Sequence, residues 1–320
     1  MKAQQPHPRP IIITEQKHGL PYSKGLMASS MMATGLAPSQ AYNAATLLED
    51  RLREQRRFAL SLDELADLAA ETLVQTYGEE YAERYQMWRT TAKLDRPLII
   101  LVSGTTGVGK STVSTALANR LGITRIVSTD AIREVMRAMV SEELMPLLYE
   151  SSFNAWQRLS VPLPKRADPV ITGFREQTQQ VMVGVNAIIN RAMTEGTNMI
   201  IEGVHLVPGE VITRDEPRAL IVPLVIHVDD EHLHRSHFFV RELETDGYRP
   251  FKRYRQNFKA IRAIGQHLVD EAQEHQVKVI MSEQLDQTIR QMLEYVMQTV
   301  IEAESARSLA KADLGQAVEG

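Results

Sequence analysis

The chain contains no cysteine. That absence excludes disulfides, thiolate metal sites and cysteine nucleophiles, and it fits a reducing compartment. Any run of about 18 apolar residues is also missing, and the first ten residues are polar and proline-rich rather than an apolar signal segment. A cytoplasmic protein with no membrane partner is expected. Charge of either sign is not in large excess: 36 Lys and Arg stand against 40 Asp and Glu, for a net charge of -4, which argues against a general nucleic-acid binder. What is present is ordinary for a core, since 320 residues with 43% hydrophobic and 24% charged side chains leave room for two domains.

Residues 11–93 read as a mostly helical domain after a disordered start at 1–10. A strand-like piece at 11–14 is followed by YSKG at 22–25 and the stretch 26–34, then by a long helix over 41–57 with Ser39 as its cap. Ser61 and Glu64 have capping-box spacing and open a second helix that runs to Tyr77. A third, over 79–91, sets Tyr81, Tyr85 and Trp88 at helical spacing, as a bundle core would require. Residues 93–96 read as the linker.

From residue 96 the pattern becomes apolar runs of strand length alternating with helical stretches. This predicts an α/β domain over 96–303, a five-stranded and mainly parallel sheet flanked by helices. The strands fall at 97–102, 125–128, 198–202, 220–228 and 277–281, with helices after 110 and over 176–194, the latter stopping at Gly196. Residues 304–320 read as a flexible tail.

The first strand runs into Gly104, Thr105, Thr106, Gly107, Val108, Gly109, Lys110, Ser111 and Thr112, a full G-x-x-x-x-G-K-[ST] phosphate loop. Its glycines let backbone N–H groups turn inward onto phosphate oxygens, Lys110 adds charge on the transferable phosphate, and Ser111 offers a hydroxyl to Mg²⁺. The chain is therefore expected to bind ATP with Mg²⁺. In open α/β sheets the ligand lies beyond the carboxyl ends of the strands, and chemistry-bearing residues follow there. Asp130 is placed to take or orient the proton of an acceptor hydroxyl, or to cap the next helix; Arg133, three residues on, is placed to hold an anion. Glu202 ends an apolar strand as a Walker-B acid does and is expected to reach Mg²⁺ through water, with His205 a candidate substrate contact.

Residues 235–262 carry eight Lys and Arg against three acids. That composition predicts a basic lid, over about 230–262, bringing Arg to the charge that builds on a transferred phosphoryl group. His232, His234 and His237 raise a metal site, but no carboxylate pattern accompanies them.

Taken together, GTTGVGKST at 104–112, STDAIRE at 128–134, ITGFREQ at 171–177, IIEGVHLVPG at 200–209 and KRYRQNFKAIRAI at 252–264 resemble the 2-phosphoglycerate kinase family. Residues 11–93, with YSKG at 22–25, resemble the ATP-cone module that precedes the kinase in that family. The resemblance implies a nucleoside-kinase-like strand order and transfer of phosphate from MgATP to the hydroxyl of an anionic small molecule, 2-phosphoglycerate, giving 2,3-bisphosphoglycerate. It implies catalytic roles for Lys110, Asp130 and Glu202, with Arg235 and Arg241 as lid arginines, and acceptor contacts from Arg133, Arg175, His205 and His237. An inositol phosphate acceptor, a non-catalytic ATP sensor and homo-oligomerisation all stay open from the residues alone.

Overall fold

The computed structural model describes residues 9–15, 18–92, 94–160, 162–210, 217–244, 248 and 250–318. Residues 1–8 of the expected disordered start, Lys93 of the linker, and Asp246 and Arg249 of the basic stretch lie outside the described residues. Two compact units are distinguished, Met1–Lys93 with Asn119–Gly122, and Leu94–Ala118 with Ile123–Gly320.

The first unit runs β1 (Ile12–Glu15), β2 (His18–Pro21), α1 (Lys24–Met32), α2 (Pro38–Glu54), β3 (Ala59–Ser61), α3 (Leu62–Tyr77) and α4 (Glu79–Ala92). Its strands form a small sheet of order β2-β1-β3, antiparallel in the first pair and parallel in the second. Only β1 is legible in the sequence, through its run of isoleucines; β2 carries Gly19 and Pro21, which read as loop, and β3 spans only 3 residues. Helix α2 starts earlier than expected: Pro38 takes the first helical position with Ala37 as cap, so Ser39 lies inside the helix. The capping box at Ser61 and Glu64 forms as read, with both bonds made at 3.1 and 2.7 Å. Tyr85 is buried and stacks on Trp88, and Tyr81 packs against the same core with Leu48, Leu52 and Leu73. In the YSKG segment, Ser23 caps α1 and Lys24 pairs with Glu49 at 2.9 Å.

The second unit contains β4 (Leu98–Ser103), α5 (Lys110–Leu121), β5 (Ile126–Ser128), α6 (Thr129–Met139), α7 (Pro169–Glu195), β6 (Met199–Gly203), β7 (Leu220–His227), α8 (Glu231–Glu244), α9 (Phe251–Gln256), α10 (Phe258–Glu274), β8 (Lys278–Met281) and α11 (Leu285–Val318). Its five strands are all parallel, in the order β5-β6-β4-β7-β8. Strands β4 and β6 are buried along their whole length, which is why they read as unbroken apolar runs rather than alternating ones. From β4 the chain crosses to β5 on one side of the sheet, and from β6 it crosses to β7 on the other. Neighbouring strands whose connections leave in opposite directions open a crevice at their carboxyl ends, and Val102 and Glu202 face each other there in register.

In the second unit two further boundaries differ from the sequence reading. Helix α7 begins at Pro169, capped by Asp168, well before 176, and ends on the left-handed Gly196 as expected. The segment read as a tail continues α11 as helix through Val318, and Arg96 pairs with Glu304 at 3.5 Å on its way. Beyond residue 300 the helix lacks the apolar stripe from which a helix is read, so the sequence alone does not show it.

Candidate active site

The loop between β4 and α5 bends where glycine alone fits. Gly107 has φ +88, and a Cβ there would lie 2.5 Å from the Phe238 ring and 3.1 Å from His234 Nε2. Helix α8 is thus packed directly on the loop backbone. His234 Nε2–H donates to Thr106 O at 2.8 Å and His237 Nδ1–H donates to Gly107 O at 2.9 Å. Burial, ahead of the nearby charges of Arg262, His237 and His227, lowers the His234 pKa to about 4 in spite of that bond. The histidine spacing that raised a metal site therefore serves to hold the phosphate loop. Thr105 ties the other side, its hydroxyl donating to Ile261 O at 3.0 Å.

Lys110 Nζ lies along the loop and donates to Thr105 O at 2.8 Å. Burial lowers its pKa, and the charges of Glu202 and Asp130 oppose that shift. Ser111 Oγ donates to Glu202 Oε1 at 2.9 Å, so hydroxyl and carboxylate from neighbouring strand ends meet at one point. Two hard oxygens side by side fit Mg²⁺, which takes few protein ligands and completes its shell with water and phosphate. Among the described residues no group of three His, Asp or Glu is placed to hold a metal by itself.

Asp130 stands in the first turn of α6 with its side chain 71% exposed. The cap of that helix is Ser128, whose Oγ accepts from Ala131 N at 3.1 Å. The capping alternative for Asp130 is thereby removed. Its carboxylate opens onto a cavity of about 1050 Å³ that also takes in Thr106, Gly107, Gly109, Lys110, Ser111, Thr112, Glu202, His237 and Arg241. Gly104, Thr105 and Val108 lie behind the loop, out of the lining.

Several residues expected at the acceptor are committed elsewhere. His205 is fully buried and does not reach the cavity. The Gln177 amide is oriented by its Nε2 donating to Leu147 O at 2.5 Å and Glu150 O at 2.9 Å. Its Oε1 therefore accepts from His205 Nε2–H at 3.1 Å, leaving His205 Nδ1 to accept from the Thr129 hydroxyl at 2.8 Å. Burial, with smaller contributions from Asp130 (raising) and from Arg133 and Lys110 (lowering), sets the His205 pKa at about 4 and keeps the ring neutral. His205 is thus a positioning residue: it holds Thr129, next to Asp130, against Gly203, next to Glu202. At Gly203 a Cβ would lie 1.8 Å from Thr129 Oγ1. Arg175 does not line the cavity and pairs with Glu210 at 3.1 Å. Arg235 stands over the Phe258 ring at 3.8 Å and pairs with Glu231, also off the cavity. Arg133 does line it, but NH1 donates to Leu148 O and Glu150 O and NH2 to Glu134.

The sequence reading missed Thr129, Gln177 and the loop-holding role of His234. Gln177 lies in the ITGFREQ segment and Thr129 in STDAIRE, yet neither residue type announces a buried hydrogen bond to a histidine 28 or 76 positions away. Arg253, one of the cations of the expected basic lid but given no role of its own there, lines the cavity from α9.

A family model described as an AAA domain matches residues 100–236. A 2-phosphoglycerate kinase from Methanopyrus kandleri is 38% identical over 309 residues, 97% of this chain and 93% of that protein. Another from Pyrococcus furiosus is 37% identical over 299 residues, 93% of this chain and 97% of that protein. A solved gluconokinase from Sinorhizobium meliloti 1021 aligns at 17% identity with a TM-score of 0.41, covering 66% of this chain and 97% of that one. With identity at that level along nearly all of both chains and a complete phosphate loop facing two carboxylates, the chain belongs to the 2-phosphoglycerate kinase family of ATP-dependent phosphotransferases.

Proposed function

We propose that this chain transfers the γ-phosphoryl group of MgATP to the free hydroxyl of 2-phosphoglycerate, giving 2,3-bisphosphoglycerate and ADP. The observation that carries the reading is the convergence on one cavity of Lys110, the Ser111–Glu202 contact and the exposed Asp130. The loop from Gly104 to Thr112 cradles the β- and γ-phosphates, with its N–H groups and the start of α5 directed at them. Lys110 follows the γ-phosphoryl group as its oxygens gain charge. Mg²⁺, when bound, would supply positive charge against the phosphate oxygens; Ser111 would offer it a direct oxygen, and Glu202, which accepts from the Ser111 hydroxyl, would hold that hydroxyl in place. Asp130 accepts the hydroxyl proton as the new P–O bond forms and the bond to the ADP oxygen breaks. Arg241, lining the same cavity from α8, faces the transferred group when the lid closes.

Supporting the reading are the relatives, which are 2-phosphoglycerate kinases, together with a cavity that couples anion-binding groups to one exposed carboxylate. The test is ADP release with MgATP on 2-phosphoglycerate, 3-phosphoglycerate, glycerate and inositol phosphates, with Lys110→Ala as control and phosphorus NMR of the product. Turnover confined to 2-phosphoglycerate is expected. Preference for an inositol phosphate would refute the acceptor, and ATP binding without transfer to any acceptor would refute the reaction.

For residues 11–93 we propose a regulatory nucleotide-binding module, as the ATP-cone resemblance implies. A phosphate approaching Ser23 and Lys24 would have to displace Glu49 from the lysine. With the kinase site disabled by Lys110→Ala, calorimetry is expected to retain one ATP site per chain; no residual binding would remove the module's role.

A further inference from the structure

The cations that line the cavity among the described residues are Lys110, Arg133, Arg241 and Arg253. Lys110 belongs to the phosphoryl donor. Arg133 is held by two backbone carbonyls and by Glu134, and works as a brace for the connection at 147–150. Arg241 stands over the Tyr254 ring at 5.8 Å. Arg253 differs from the others. Its NH2 donates to Ser151 Oγ at 3.3 Å and its Cζ stands 5.8 Å over the Phe153 ring; both contacts are neutral, and no carboxylate among the described residues pairs with it.

The position of Arg253 is set by packing. Tyr254 next to it is stacked on Phe238 of α8, with centroids 4.7 Å apart and an interplanar angle of 7°, and meets Phe153 edge-on at 6.2 Å. All three rings are buried. Arg241 and Arg253 therefore stand over neighbouring members of one rigid aromatic cluster, on the wall of the cavity that Asp130 faces. A guanidinium laid over an aromatic face keeps its N–H edges available and is weakly hydrated, which suits it to fork onto phosphate oxygens.

We propose that Arg253, with the Ser151 hydroxyl it touches, holds the phosphate already present on the acceptor, and so decides that phosphorylated hydroxy acids are taken over unphosphorylated ones. The proposal deepens the acceptor reading above and rests on it. Arg241 is then the cation of the transferred group and Arg253 that of the resident one.

The experiment compares wild type with Arg253→Gln, Arg253→Lys and Ser151→Ala for turnover of 2-phosphoglycerate and glycerate, and for calorimetric binding of 2-phosphoglycerate in the presence of ADP. Loss of a charged hydrogen-bond partner in Arg253→Gln is expected to raise the KM and Kd for 2-phosphoglycerate roughly 10- to 100-fold, with the KM for ATP within about twofold of wild type. The kcat/KM ratio of 2-phosphoglycerate to glycerate falls with it. Arg253→Lys lies between, since an ammonium cannot fork, and Ser151→Ala loses about threefold to tenfold. Unchanged KM and Kd in Arg253→Gln, while wild type turns over 2-phosphoglycerate, would overturn this proposal and leave the reaction standing. Should wild type reject 2-phosphoglycerate but take another phosphomonoester in an Arg253-dependent way, the named acceptor falls and the role of Arg253 stands. If wild type binds no phosphomonoester at all, both are wrong.

Discussion

Acidification from pH 7 to pH 5 is expected to destabilise the second unit strongly, and the buried histidines are the cause. His205 and His234 are both buried, and burial holds each pKa near about 4 against an ordinary value of 6.5. Between those values the unfolded chain binds a proton at each site and the folded chain does not, so stability rises with pH. The contribution is fully present above about 6.5 and is lost as pH falls toward 4. At pH 5 the gap of about 1.5 pH units is worth about 2 kcal/mol per histidine, or about 4 kcal/mol for the pair. Burial lowers the pKa values of His227 and His267 as well, which adds in the same direction. The carboxylates held below their ordinary values, Glu49, Glu64, Glu143, Glu195 and Asp230, begin to act only near about pH 5 and leave most of this window to the histidines. Against a typical total of 5–15 kcal/mol, a loss of about 4 is readily measured. The assay is urea unfolding at pH 7.5, 6.5, 5.5 and 5.0. The chain has two tryptophans, so a Trp88→Phe background leaves Trp156 as the reporter of the second unit. His205→Gln and His234→Gln should each remove about half of the fall. A midpoint that stays level or rises between pH 6.5 and 5.0 would refute the reasoning.

Other perturbations separate chemistry from scaffolding. Asp130→Asn is expected to keep the affinity for ATP and to lower kcat about 10²- to 10⁴-fold, read by single-turnover kinetics; an unchanged kcat would dismiss the carboxylate as acceptor base. Glu202→Gln should weaken the affinity for Mg²⁺, seen as a raised half-saturating concentration of the ion, and an unaltered Mg²⁺ curve would place Glu202 outside the metal's surroundings. Thr129→Val leaves His205 Nδ1 buried without a donor and should cost about 1–3 kcal/mol in urea unfolding, whereas Thr129→Ser, which keeps the hydroxyl, should cost less. Equal losses from the two would remove the hydrogen bond from the argument.

Phosphate binding constrains a sequence tightly, which is why the loop was legible. Gly104, Gly109, Lys110 and Ser111 each have a backbone or side-chain task that few residues perform, and the strand before the loop and helix after it are where the motif needs them. The sheet was legible for a related reason: β4, β6 and β7, buried along all or nearly all of their length, appear as continuous apolar runs, and all five strands fall within about a residue of their expected bounds. Elements of low content were not. A strand of 3 residues at Ala59–Ser61 and the last turns of α11 leave no periodicity to read.

Candidate acceptor contacts resisted sequence reading most, and the reason is physical. A charged or polar side chain near a candidate site in sequence is assigned to ligand or scaffold by whichever partner lies closest in space, and that partner is set by the fold. Arg175 is taken by Glu210, 35 residues on, Arg133 by carbonyls 15 and 17 residues on, and the His205 ring by Gln177 and Thr129. Each capture removes a candidate from the acceptor while strengthening the frame around it. Gln177 and Arg133 both grip the connection at 147–150, which leads directly into Ser151 and Phe153. Fixing that connection fixes the wall on which Arg253 stands. Residues expected to bind the acceptor therefore serve it at one remove, by holding still the surface that does.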